Sequence, residues 1–253
     1  MTSELQSGVC RKPGAPVDLA GVVPGTHLIS FYQGDAELAK VAAVFLGAGL
    51  AAGDRVLYLV DDRPLHAAWA SLEATPAAGS AIAAGQLVVR SFSDLYGGTG
   101  ISDLTAAASR FRAAAELARC DGFPGLRVAV EMGNYTRALG SIEQVMAWER
   151  MSSDLQHELG ISWVCHYDQR RPDWECSGFL SAEHDGIAPE SARLPQASFL
   201  VTSQGLRITG AVDTTNRHRF VRVVRARLVA SCQLTVDAGE GTLPMRDLLP
   251  AGR

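Results

Sequence analysis

The run from His27 to Asp62 restricts the fold more than any other stretch of the chain. An apolar segment, Leu28 to Tyr32, leads into the polar turn Gln33-Gly34-Asp35. Leu38, Val41, Phe45, Leu46 and Leu50 then recur at helical spacing and share one face. Gly53 and Asp54 end that helix, and Val56 to Val60 forms a second β-rich run closed by Asp61 and Asp62. Neither strand alternates apolar with polar residues. This is a βαβ unit whose strands are covered on both faces, as parallel strands are.

In nucleotide-binding α/β proteins, the turn after such a first strand carries Gly-x-x-x-x-Gly-Lys-Ser/Thr, whose amides and lysine neutralise phosphate. Here the same place runs from Ser30 to Glu37, with one glycine, no lysine and two carboxylates, Asp35 and Glu37. The frame is kept and the phosphate chemistry is not.

The rest of the first three-quarters repeats the alternation. Further strands are predicted at Leu87 to Phe92, at Leu126 to Val130 ending on Glu131, and at Ile161 to Tyr167. Between them, Pro64 opens a helix striped by Leu65, Trp69 and Leu72, and Ser102 caps an Ala-rich helix ending near Cys120. Ser141 and Gln144 have capping-box spacing for a helix stopped by Gly160, and a short helix follows around Phe179 to His184. Such alternation predicts an α/β fold, a mostly parallel sheet with helices on both faces. Residues 1–24, rich in Gly, Pro and Ser, read as a flexible leader, 25–188 as the main domain, and 189–196 as a linker. A small α/β module is expected over 197–253. It has paired strands at Phe199 to Thr202 and Leu206 to Thr209, an arginine-rich helix from Thr215, and a strand at Gln233 to Val236.

Composition narrows the setting. No apolar run approaches the ~18 residues of a membrane span, and the N-terminal segment has no apolar signal core. The five cysteines are odd in number and form no Cys-x-x-Cys pair, which fits a reduced cytoplasmic compartment better than a disulfide or zinc framework. A net charge of -4 disfavours a general nucleic-acid binder. No Gly-x-Ser-x-Gly, His-Glu-x-x-His or dinucleotide fingerprint occurs, so no catalytic set, metal or cofactor is expected.

Ligands of parallel α/β sheets sit outside the carboxyl ends of the strands. Those ends supply Tyr32, Gln33, Asp61, Glu131, Cys165 and Tyr167 as candidate ligand-binding residues. Alternation places Cys165 and Tyr167 on one face and His166 on the other. Cys165 is either a sensing group or a small buried hydrophobe. Glu131 is either a functional acid or a cap for the next loop, and Asp61 and Asp62 a polar strand end or a metal pair. His27 opens its strand, and a rise of ~3.3 Å per residue sets it roughly 16 Å from a cysteine at the far edge. On that reading His27 and Cys165 do not share a site, and Cys165, Cys176 and His184 lack metal spacing. Arg219, Arg222 and Arg225 lie on the arginine-rich helix, a solvated face or a surface for an acidic protein partner.

The first strand, the run Phe45 to Asp62, Glu131 and the segment Trp163 to Asp168 together resemble the MEDS sensory domain, over about residues 22 to 188. That domain is similar to the RecA/KaiC-type ATPase fold with its nucleotide loop lost. The resemblance implies small-molecule sensing in a regulator, with a histidine and a cysteine as marked residues, by position His27 and Cys165. Leu206 to Asn216 and Leu234 to Gly241 resemble the STAS domain of anti-sigma-factor antagonists. That family's phosphorylatable serine would fall near Arg246 or Asp247, which implies an abbreviated module without its phospho-switch. The expectation is a non-enzymatic cytoplasmic regulator that senses a small ligand and contacts a regulatory protein such as an anti-sigma factor. The alternatives are a divergent nucleotide hydrolase or cysteine-dependent enzyme, and a purely structural interaction protein.

Overall fold

The computed structural model describes residues 17–62, 76–97, 101, 103–170, 177–188, 197–202, 205–212, 217, 220, 221, 223, 224, 236 and 237. The opening run folds as expected. β1 (His27–Tyr32) is buried along its whole length, α1 (Asp35–Ala52) follows, and Gly53 stops α1 at φ 83°, a left-handed conformation that suits glycine. β2 (Arg55–Val60) completes the unit. α2 (Pro76–Ala83), β3 (Leu87–Ser91), α3 (Phe92–Tyr96), α4 (Leu104–Cys120) and β4 (Leu126–Glu131) come next. The main domain closes with α5 (Met132–Leu139), α6 (Ile142–Leu159), β5 (Ser162–Asp168), α7 (Ser177–Ala182) and the two-residue β6 (Gly186–Ile187).

These strands form a six-stranded sheet in the order β3-β2-β4-β5-β1-β6, with every pair parallel. The expected α/β sheet with both faces covered is present. One face packs Ile29, Phe31, Val128, Val130, Trp163 and Cys165 against Phe111 and Trp148 of α4 and α6. The opposite face packs Leu28, Tyr58, Ala129 and Val164 against Val41, Phe45 and Leu46 of α1. No helix among the described residues is long and apolar enough to cross a membrane.

Several local expectations shift. Phe92 begins a helix instead of ending a strand, because Ser91 and Asp94 form a reciprocal capping box, the Asp94 amide donating to Ser91 Oγ at 3.1 Å and the Ser91 amide to Asp94 Oδ2 at 3.0 Å. The cap of α4 is Asp103, whose carboxylate accepts from the Thr105 amide at 2.8 Å, and Ser102 lies outside the described residues. α5 and β6 were not foreseen. The helix expected from Pro64 and the linker over 189–196 also lie outside the described residues. Within the span expected as a leader, Val17, Leu19 and Val22 are buried in the α1-side core, and the Val17 amide donates to the Ile187 carbonyl at 3.0 Å.

A second sheet follows. β7 (Ala197–Thr202) pairs antiparallel with β8 (Gly205–Gly210), and β9 (Val236–Asp237) runs parallel to β8. Phe199, Leu206, Ile208, Phe220 and Val223 form its core. Residues 217, 220, 221, 223 and 224 are helical, whereas Arg219, Arg222 and Arg225 lie outside the described residues.

Leu19 gives the test of the leader boundary. As a core residue it should cost about 2–4 kcal/mol on Leu19→Ala, read by urea denaturation. A cost below ~0.5 kcal/mol, typical of a neutral surface site, would return it to the leader.

Candidate functional site

Register decides where the candidate residues meet. β1 pairs with β5 so that His27 lies opposite Trp163 and Ile29 opposite Cys165. Cys165 is therefore mid-strand, two residues from the level of His27, and both side chains point to the α6 face. The expectation that they lie at opposite edges is wrong: Cys165 Sγ is 3.5 Å from His27 Nε2. It failed because Cys165 was placed at a strand end, whereas β5 continues to Asp168.

Two groups join them. Glu149 projects from α6, with Oε2 at 3.3 Å from His27 Nε2 and 3.4 Å from Cys165 Sγ. His184, between α7 and β6, brings Nε2 to 3.4 Å from the same Oε2, and its ring lies 3.9 Å from that of His27. Tyr167 O–H donates to Glu149 Oε1. Glu149 carries the i, i+3, i+4, i+7 stripe of Val145, Trp148, Ser152 and Gln156 toward the sheet. All four groups are buried, three of them at 0% exposure.

Burial and the nearby His184 push the His27 imidazole down to about 4, which leaves it neutral at neutral pH. Burial opposes ionisation of Glu149, whereas a proton or other cation held by the facing imidazoles favours it and takes its carboxyl below the usual range. Burial and Glu149 push the Cys165 thiol up. A thiol so held is the reverse of an activated nucleophile.

The opposite face carries a second polar group at the carboxyl end of the sheet. Ser30, His166 and Glu131 lie side by side across β1, β5 and β4. Tyr58 O–H donates to Glu131 Oε1 at 2.7 Å and the Asp61 amide to Oε2 at 3.2 Å. Asp61 in turn accepts from the Asn134 amide at 2.7 Å, at the start of α5, and Asp62 from Asn134 Nδ2 at 2.6 Å and the Ser93 amide at 2.8 Å. A Cβ on Gly133 would overlap the Asp61 carboxylate, so this approach requires glycine. Asp61 and Asp62 thus each accept from an amide in the first turn of a helix, and Glu131 bonds β4 to β2. His166 differs. Neither of its ring nitrogens, nor Ser30 Oγ, has a hydrogen-bond partner among the described residues, and burial pushes the imidazole down to about 3.

The turn after β1 is occupied by the protein's own charges. The Gln33 amide donates to Glu37 Oε2 at 2.7 Å, and Tyr32 is buried against Leu38. An arginine does reach this turn: Arg170 holds both oxygens of Asp168 at 2.8 Å and lies 3.5 Å from Asp35 Oδ1. Two carboxylates already share that cation.

Of the residues named from sequence, His27, Cys165 and Tyr167 converge on Glu149. Asp61 and Glu131 belong to the second group, and Tyr32 and Gln33 to the turn. Glu149 was missed, and His184, weighed beside Cys165 and set aside because their spacing is not that of a metal motif, joins the same group. Residues 26–176 match the family model described as MEDS: MEthanogen/methylotroph, DcmR Sensory domain. The chain belongs to this family. Both polar groups draw on residues of the MEDS match, and His184 lies just beyond it. Comparison with the curated proteins finds no match. Among solved structures, the flagellar accessory protein FlaH from Methanocaldococcus jannaschii aligns at TM-score 0.47 and 10% identity, over 75% of this chain and 78% of that one.

Cysteine labelling checks the site's burial in the MEDS domain. In native protein at neutral pH, exposed Cys120 should alkylate readily and Cys165 only on unfolding. Peptide mass spectrometry showing Cys165 modified as fast as Cys120 would contradict the geometry.

Proposed function

We propose that this chain is a non-enzymatic cytoplasmic regulator whose MEDS domain binds a small polar ligand other than a nucleoside polyphosphate. The observation that carries the ligand reading is the unpartnered pair on the α1 face. Buried polar atoms almost always have partners, and leaving one unmade costs ~1–3 kcal/mol. Three such atoms lie in neighbouring positions on Ser30 and His166, beside Glu131. A small molecule with hydroxyl, amine or carbonyl groups supplies what they lack. The place fits the general rule that open parallel sheets bind ligands at their carboxyl ends.

What argues against a polyphosphate is the turn itself. Glu37 takes an amide that a phosphate oxygen would use, and Arg170 is committed to Asp168 and Asp35. What argues against cysteine catalysis is the raised thiol of Cys165. For output, we read the C-terminal part as a STAS-like module of the anti-sigma-factor-antagonist type that relays the state by protein contact. Its support is the order of a hairpin, helical residues and a strand parallel to β8. Arg219, Arg222 and Arg225 are assigned to an acidic regulatory partner from sequence.

Native mass spectrometry of the full chain from its own host tests the reading. A bound small molecule should accompany the wild type and be lost from His166→Phe. Calorimetry with magnesium-ATP should show no binding tighter than ~1 μM, equivalent to about -8 kcal/mol. Tight ATP binding, or a ligand unaffected by His166→Phe, would overturn it.

A further inference from the structure

The cluster on the α6 face has too few protons for its acceptors. His184 Nδ1 lies 2.6 Å from the Leu180 carbonyl, which only accepts, so Nδ1 carries the hydrogen. His27 Nδ1 lies 2.8 Å from Ser153 Oγ, whose single hydrogen goes to the Glu183 carbonyl at 3.0 Å. His27 Nδ1 therefore donates as well. Both Nε2 atoms are left with lone pairs aimed inward, and each faces the negative Oε2 of Glu149. One thiol hydrogen, on Cys165, serves all of them. His184 Nε2 has no hydrogen-bond partner among the described residues.

The spacing has a simple solution. His27 Nε2, Glu149 Oε2, Cys165 Sγ and His184 Nε2 all lie within 4.8 Å of one another. Four of their separations are 3.3, 3.4, 3.4 and 3.5 Å. Ligands bonded tetrahedrally to zinc at ~2.0–2.3 Å are separated by about 3.3–3.6 Å, the longer values involving sulfur.

We propose that His27, His184, Cys165 and Glu149 bind a single zinc ion as a closed tetrahedral site. On binding, Cys165 gives its proton to solvent, and thiolate plus carboxylate balance the divalent charge. Two imidazoles, a thiolate and a carboxylate are a borderline donor set that suits zinc. The outer partners of a metal site are already in place: Leu180 O and Ser153 Oγ orient the imidazoles, and Tyr167 O–H holds the free carboxylate oxygen. With four protein ligands and burial of all of them, no position is left for substrate, so the metal organises rather than catalyses. It would tie α6 and the α7–β6 corner to β1 and β5. The inference goes beyond the sensory reading, since the zinc ligands lie on the other face from His166.

The test uses the full chain purified without chelators. Elemental analysis should find about one zinc per chain, and zinc-edge X-ray absorption one sulfur at ~2.3 Å with three nitrogen or oxygen ligands at ~2.0 Å. Protein grown with cobalt in place of zinc should show tetrahedral visible bands and a near-ultraviolet thiolate-to-cobalt band. The thiolate band should vanish in Cys165→Ser and persist when Cys10, Cys120, Cys176 and Cys232 are all changed to serine. Folded wild type holding less than ~0.1 metal per chain in either medium would overturn the proposal, as would a thiolate band that follows the other four cysteines. No readout here depends on ATP or on the ligand at His166.

Discussion

Parallel pairing of β1 with β5 is the contact on which the rest depends. It sets His27 opposite Trp163, and from that alone Cys165 and Tyr167 fall on the same face, one step and two steps along. A slip of one residue would send Cys165 and Tyr167 to the α1 face and His166 to the α6 face, because side chains alternate strictly. The register is held by burial on both sides of both strands, with β1 and β5 buried at every residue. β6 extends it, since the Asp185 amide donates to the His27 carbonyl at 2.8 Å and so fixes His184 beside the strand.

Glu149 is the costly group in this arrangement. An ionised carboxylate taken out of water loses several kcal/mol, and only close, well-aimed partners offset that. Tyr167 O–H meets one oxygen, while the other faces two imidazoles and a thiol. Removing one partner from such a set typically costs about 3–5 kcal/mol. The domain keeps this charge at the centre of the α6 face, next to Trp148 and Trp163, where apolar residues would pack more easily.

The sheet was legible in the sequence because its strands are short apolar runs between strong punctuation. Gly53, Gly160 and Ser141 mark helix ends by residue chemistry alone, and all three sit where expected. α5 was not legible: Met132 to Leu139 carries polar Asn134 and Thr136 inside it, and its Asn134 amide is met by Asp61, just past the end of β2. For the site, half the signal was available. A period count that admits polar residues puts Glu149, Ser152 and Gln156 on the stripe of Val145 and Trp148. Nothing local marks His184, which lies in a polar run and is buried only because β6 joins the edge of β1. The distance between His27 and Cys165 was misjudged because strand ends, which sequence fixes poorly, were used as rulers.

β5 serves both faces with three consecutive residues. Cys165 and Tyr167 belong to one polar centre and His166 to the other, so a single pair of peptide planes is common to both. Tightly packed strands cannot flex one side chain's base without re-aiming the next. A substitution that displaces the β5 backbone at His166 is therefore felt at Cys165 and Tyr167 as well, although they face the other side of the sheet. The two polar groups are thus separated by the thickness of one strand and share its backbone.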